Sequence, residues 1–131
     1  SFNDLYALQT LHYSRKIEPE ATNQMAQDLG ELWRSGIFAD ITFEIEGTHI
    51  KAHKAILASR SENFRAMLTG GLKESYQSVI PISNIKLIVF EKLIEFLYTD
   101  TTDIDEDNAP ELLIAADLYG LQRLKSLTEQ I

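Results

Sequence analysis

Cysteine is absent from the 131 residues, which excludes a disulfide framework, a thiolate nucleophile and any zinc site built on Cys. Long apolar runs are missing too. No stretch approaches the ~20 residues needed to span a bilayer, and the opening Ser1-Phe2-Asn3-Asp4 carries neither a basic leader nor an apolar signal core. Positive charge is scarce: 12 Lys and Arg against 20 Asp and Glu leave a net charge of −8. A phosphate backbone would be repelled by such a surface on average, so direct nucleic-acid binding is not expected and a protein partner is. The expectation is a soluble intracellular piece without membrane contact, cytoplasmic and also nuclear, cut from a longer protein. The missing initiator Met and the end at Ile131 inside a helical pattern suggest the cut.

What is present is ordinary globular material, 44% hydrophobic and 24% charged, at the length where one hydrophobic core is the usual solution. Leu5, Tyr6, Leu8 and Leu11 stand at roughly helical spacing within residues 1–18. From Pro19 a helix is expected with Met25, Leu29, Leu32 and Trp33 at i, i+4, i+7 and i+8, stopped by Gly36. Its apolar stripe ends in a Trp that can bury ~150–250 Å², so its own core or a second chain must cover it.

Asp40 to Glu46 alternates with period two, placing Ile41, Phe43 and Ile45 on one face; Gly47 turns the chain into Thr48–Lys51, a β-hairpin. Residues 52–57 read as helical. Ser59-Arg60-Ser61-Glu62 fits a capping box that opens a helix with Phe64, Met67 and Leu68 inward, ended by Gly70-Gly71. The run Ser78–Ser83 is strand-like, and Pro81 confines it to a sheet edge. Ile85–Tyr98 is apolar almost all round and is expected to be a central buried helix. Residues 99–111 hold six acidic residues and no basic one, an expected solvated acidic lip. Asn108 with Glu111 suggests a second capping box, opening a helix with Leu112, Leu113, Ala115, Ala116 and Tyr119. A last helix carries Leu121, Leu124 and Ile131. The order predicts an α+β domain, a small sheet flanked by helices.

Catalytic constellations are not evident. Thr69-Gly70-Gly71-Leu72-Lys73 lacks phosphate-loop spacing. His49 and His53 are four apart, but a strand hands over to a helix between them, so no metal is expected there. Ser59 and Ser61 read as caps rather than nucleophiles. No cofactor, metal or enzyme activity is expected. Function should live on surfaces that bind other proteins.

The runs Ala39–Gly47, Ile50–Ser61 and Phe64–Leu68, continued by Phe96–Thr99 and Leu113–Leu121, resemble the BTB/POZ domain family. The resemblance covers residues 23–131, within an expected domain of 19–131 preceded by an extension over 1–18. It implies an N-terminal dimerisation helix, and with it a homodimer whose interface is Met25, Leu29, Leu32 and Trp33, extended by Phe38. It further implies a charged pocket near the dimer axis from Asp40 and Lys54, for which a capping or surface charge is the plain alternative. BTB adaptors of cullin-3 ubiquitin ligases resemble this chain in a hydrophobic-x-Glu motif, here Leu72-Lys73-Glu74, with Tyr98 and Tyr119 as further contacts on that face. Core packing is the alternative for Leu72 and Tyr119. On that resemblance the chain is a homodimeric substrate adaptor binding cullin-3, its substrates held by other parts of the parent protein. A dimeric scaffold or transcription-regulator module without cullin is the alternative.

Overall fold

The computed structural model describes residues 23–69 and 79–131. The elements are α1 (Gln24–Ser35), β1 (Ile41–Ile45), β2 (Thr48–Ala52), α2 (Lys54–Arg60), α3 (Glu62–Thr69), β3 (Val79–Pro81), α4 (Leu87–Thr99), α5 (Ala109–Leu118) and α6 (Gln122–Glu129). This is the expected α+β architecture. Helix α1 starts later than Pro19, which lies outside the described residues. Asn23 is extended and its side chain accepts from the Ala26 amide, so the cap, rather than a proline, sets the first turn.

The sheet has the order β2-β1-β3. β1 and β2 form the antiparallel hairpin, with Phe43 opposite Ile50, and β3 runs parallel to β1 at the edge. Alternation does what it predicts: Ile41, Phe43 and Ile45 are buried. The two-residue turn places both Glu46 and Gly47 at positive φ, the twist that hairpin turns favour. Glu46 then reaches across the fold to accept from the Leu87 amide, so an anion sits at the otherwise uncapped N-terminus of α4.

Helix α4 is the central element, buried at Val89, Phe90, Leu93, Ile94, Phe96, Leu97 and Tyr98. It packs against α1, α2 and α5. Between α4 and the sheet, Phe43 meets Phe90 and Phe64 edge-on at centroid distances of 5.1 and 5.8 Å, while Tyr119 stacks on Phe64 at 4.6 Å.

Four local expectations are corrected. Ser61, not Ser59, caps α3: its hydroxyl accepts from the Phe64 amide and donates to the Tyr119 carbonyl, while Ser59 lies inside α2 and donates to Ile56. Glu62 therefore sits in the first turn and pairs with Arg65 instead of reaching back. Asn108 makes its reciprocal box with Asp105, one turn upstream, and Glu111 pairs with Lys86. The acidic segment is not wholly a solvated lip, because Asp100 closes α4 at positive φ and accepts from both Arg60 and Arg123. Ile131 lies beyond α6 and is exposed; Thr128 is the buried residue in its place.

Ser61 is 2% exposed, so Ser61→Ala strands a helix amide and a buried carbonyl together. It is expected to lower unfolding free energy by about 2 kcal/mol, read as a shift in the urea midpoint at constant slope.

Candidate functional site

Helix α1 lies against α4 through a small residue. A Cβ on Gly30 would come within 3.1 Å of the Thr99 side chain, which would have to give by a few tenths of an ångström to admit it, so the missing side chain favours the close approach of the two helices. With Gly30 turned inward, the stripe of Met25, Leu29, Leu32 and Trp33 is left at the margin. Leu29, Leu32 and Trp33 are half-buried, and Met25 is 70% exposed. The Trp33 ring stacks on Tyr98 of α4 at 6.0 Å. Its own chain therefore covers one face of the indole. Met25 and Leu29 also line a groove of about 260 Å³ with Ile56 of α2 and Leu97.

The strip continues past the end of α1. Gly36 stops the helix at φ 70° and donates to the carbonyls of Leu32 and Trp33. Ile37 and Phe38 follow, both exposed, with Phe38 at 84%. Phe38 also holds φ at 62°, unusual for a bulky side chain. The corner is pinned by the Ala39 amide donating to Gly36 and the Asp40 amide donating to Ala52.

Asp40 and Lys54 are brought together, but through the backbone: the Asp40 carboxylate accepts from the Lys54 amide at 2.7 Å. Asp40 thereby satisfies one amide at the start of α2, whose N-cap His53 makes no side-chain cap bond. Among the described residues the two side chains form no ion pair. His53 instead is buried and turned away from His49. Its Nδ1 lies 2.7 Å from the Tyr98 hydroxyl, its Nε2 2.7 Å from the Ile37 carbonyl, and its own amide donates to Tyr98 at 2.8 Å. His49 pairs with Glu44 on the exposed face of the hairpin. Burial pushes the Tyr98 hydroxyl up to about 12; the bond from the His53 amide opposes this and the Asp40 charge adds to it. Tyr98 is therefore a protonated donor at neutral pH.

Among the described residues the domain is rich in helix, with a three-stranded sheet and a half-covered α1. The BTB/POZ domain family model matches residues 29–131. This chain belongs to the BTB/POZ domain family. TD and POZ domain-containing protein 3 of Mus musculus is 41% identical over 111 residues, 83% of this chain and 30% of that protein. TD and POZ domain-containing protein 1 of Mus musculus is 42% identical over 107 residues, 80% of this chain and 29% of that protein. The chain thus spans about 30% of the length of the curated relatives it matches. Among solved structures, the BTB domain of zebrafish PATZ1 superposes with a TM-score of 0.72 at 22% identity, covering 88% of this chain and 92% of that one. That likeness is one of fold.

As a BTB/POZ domain the chain is a protein-interaction module. Leu72 and Glu74 lie outside the described residues. The other two residues of that expected face lie in the core of the BTB/POZ domain: Tyr98 is 2% and Tyr119 5% exposed. Tyr98 is held by His53, and Tyr119 stacks on Phe64, where burial raises the pKa of its hydroxyl. Each still borders a groove, Tyr98 the one beside Met25 and Leu29, and Tyr119 one at the ends of α3 and β3. Away from α1, Ile85, Val89, Ile114 and Leu118 line a larger apolar groove of about 700 Å³. A smaller one next to it joins Met67, Ile80, Pro81, Ile82 and Leu118, bordering the ends of α3 and β3. No described helix is long and apolar enough to cross a membrane.

Sequence reasoning missed Ile56, Ile37 and the pairing role of His53. Ile56 stands in a uniformly apolar run, Ala55-Ile56-Leu57-Ala58, where only Leu57 is fully buried. Alternation between inward and outward positions on a helix this short leaves too weak a signal.

Proposed function

We propose that this BTB/POZ domain pairs with a second copy of itself across the α1 strip and acts as an adaptor that docks a cullin-3 ubiquitin ligase. In this reading substrates are held by other parts of the parent protein, in the cytoplasm and the nucleus. The single observation that carries the pairing is the outward exposure of Met25, Ile37 and Phe38 at the two ends of a strip whose middle, Leu29, Leu32 and Trp33, is only half covered. A two-fold axis near α1 would set the strip against itself, an isologous and mainly apolar contact. Two protomers joined in this way would present two substrate sites and two ligase arms, raising effective concentration without new contacts. Light scattering on the purified chain over a range of concentrations tests the pairing: a mass of one protomer at millimolar concentration overturns it.

Support for the cullin arm comes from the Leu72-Lys73-Glu74 motif and from the apolar border that Met67, Ile80 and Ile82 give the neighbouring elements. An apolar knob in a groove with a carboxylate at its rim is the usual form of a small hot spot. The double variant Leu72→Ala, Glu74→Ala is expected to weaken binding of the cullin-3 N-terminal domain at least about 100-fold by isothermal titration, with the oligomeric state unchanged. Wild-type affinity in that variant overturns the site; absence of any heat with the parent chain at micromolar concentration favours a scaffold or transcription-regulator role.

A further inference from the structure

Phe38 is a bulky residue in the left-handed region with its ring in solvent, and nothing in its own surroundings rewards that conformation. Such residues are strained and persist only where neighbouring structure enforces them. The turn Gly36-Ile37-Phe38-Ala39 is closed by the Ala39 amide donating to the Gly36 carbonyl at 3.1 Å. A third residue at positive φ belongs to a type II turn, which differs from type I by half a rotation of the central peptide. That peptide carries the Ile37 carbonyl. The Ile37 carbonyl is the group that His53 Nε2 holds at 2.7 Å.

The partners of His53 also fix its proton. A carbonyl can only accept, so Nε2 carries the hydrogen. Nδ1 is then a bare acceptor facing the Tyr98 O–H at 2.7 Å, and the Tyr98 oxygen accepts in turn from the His53 amide. Each ring nitrogen has one partner of the right kind, and the phenol has a donor and an acceptor partner. The chain Ile37–His53–Tyr98 continues by stacking to Trp33 at 6.0 Å, so the turn, the start of α2, α4 and α1 are tied through one imidazole.

We propose that His53, as the neutral Nε2–H tautomer, is a positioning residue for self-association: by holding the Ile37 carbonyl it turns the central peptide, forces Phe38 to positive φ and aims its ring at the second copy. The proposal rests on the pairing through α1 and Phe38 proposed for this domain. Amide substitutions separate its two bonds. In His53→Gln the side-chain amide can replace Nε2 as donor to Ile37, whereas in His53→Asn the shorter side chain can accept from Tyr98 but not reach Ile37.

Sedimentation equilibrium on the full chain is the test, with backbone φ at Phe38 read by NMR scalar and residual dipolar couplings. His53→Asn is expected to raise the dimer dissociation constant about tenfold or more and to return Phe38 to negative φ, with His53→Gln within about threefold of the parent and Phe38 still at positive φ. Equal dissociation constants for His53→Asn and the parent, or a positive φ retained in His53→Asn, overturn the assignment. A parent chain that stays monomeric overturns the pairing instead, while the couplings still decide whether His53 sets the turn. Should His53→Asn fail to fold, the ¹⁵N shifts of the parent imidazole decide: a hydrogen on Nε2 is expected, and a bare Nε2 rules the mechanism out.

Discussion

Met25→Asp is expected to yield a monomer at concentrations where the proposed pairing makes the parent chain a dimer. Met25 stands at the second position of α1, after the Asn23 cap and Gln24, with its side chain largely in water. In the separate protomer the new carboxylate stays solvated and lies at a helix N-terminus that has no acidic residue in its first turn, where negative charge is mildly stabilising. Against a second copy the same group would be buried twice by two-fold symmetry, among Leu29 and Ile56, without a partner. Desolvating an unpaired carboxylate costs several kcal/mol, so the dissociation constant should rise by about three orders of magnitude or more. Light scattering reads the loss, and circular dichroism should show an unchanged fold and melting point extrapolated to the monomer. Ile114→Asp is the control: equally exposed at 69% but on α5, it should leave the mass of the particle untouched. A dimer that survives Met25→Asp places the contact elsewhere on the surface.

Phe43→Ala carries the largest expected effect on folding. The ring is fully buried and sits where the sheet meets α3 and α4, edge-on to both Phe64 and Phe90. Removing it opens a cavity between elements that cannot collapse, because the hairpin register and the aromatic neighbours are fixed on either side. Comparable truncations cost about 3–5 kcal/mol, a large part of the 5–15 kcal/mol typical of a whole domain. Denaturant titration should show that loss, together with a fall in melting temperature of roughly 10–20 °C. A change below about 1 kcal/mol would mean that the core is organised around a different contact. Truncating Phe38, the same residue type in water, should by contrast leave the stability of the protomer within about 0.5 kcal/mol.

The difference between these two phenylalanines marks what is legible in the amino-acid sequence. Phe43 alternates with Ile41 and Ile45, and period two places it inward without further information. The all-round apolar stretch that becomes α4 is equally plain, since only burial tolerates such a surface. Short-range caps are harder. Ser59 and Ser61 both precede an acidic residue at short spacing, and the choice between them depends on where α2 ends, which its tertiary contacts decide. Asp100 reads as solvated because its two guanidinium partners are 40 and 23 residues away. His53 stands four residues from His49 without pairing with it, and its partner Tyr98 is 45 residues along the chain. Periodicity reports what one element buries; it is silent on which distant side chain meets a given polar atom. The α1 strip is legible for the first reason, and the hold of His53 on the turn is hidden for the second.

The short third strand has a further consequence. β3 is only three residues long and ends in Pro81, which has no amide hydrogen to offer outward, and at the other margin β2 turns Thr48, His49 and Lys51 to solvent. Among the described residues neither border offers a long flat row of unpaired donors and acceptors. Growth by strand addition, which has no natural end and leads to fibres, is thereby discouraged. In the proposed pairing, copies would gather through helices and stop at a closed number.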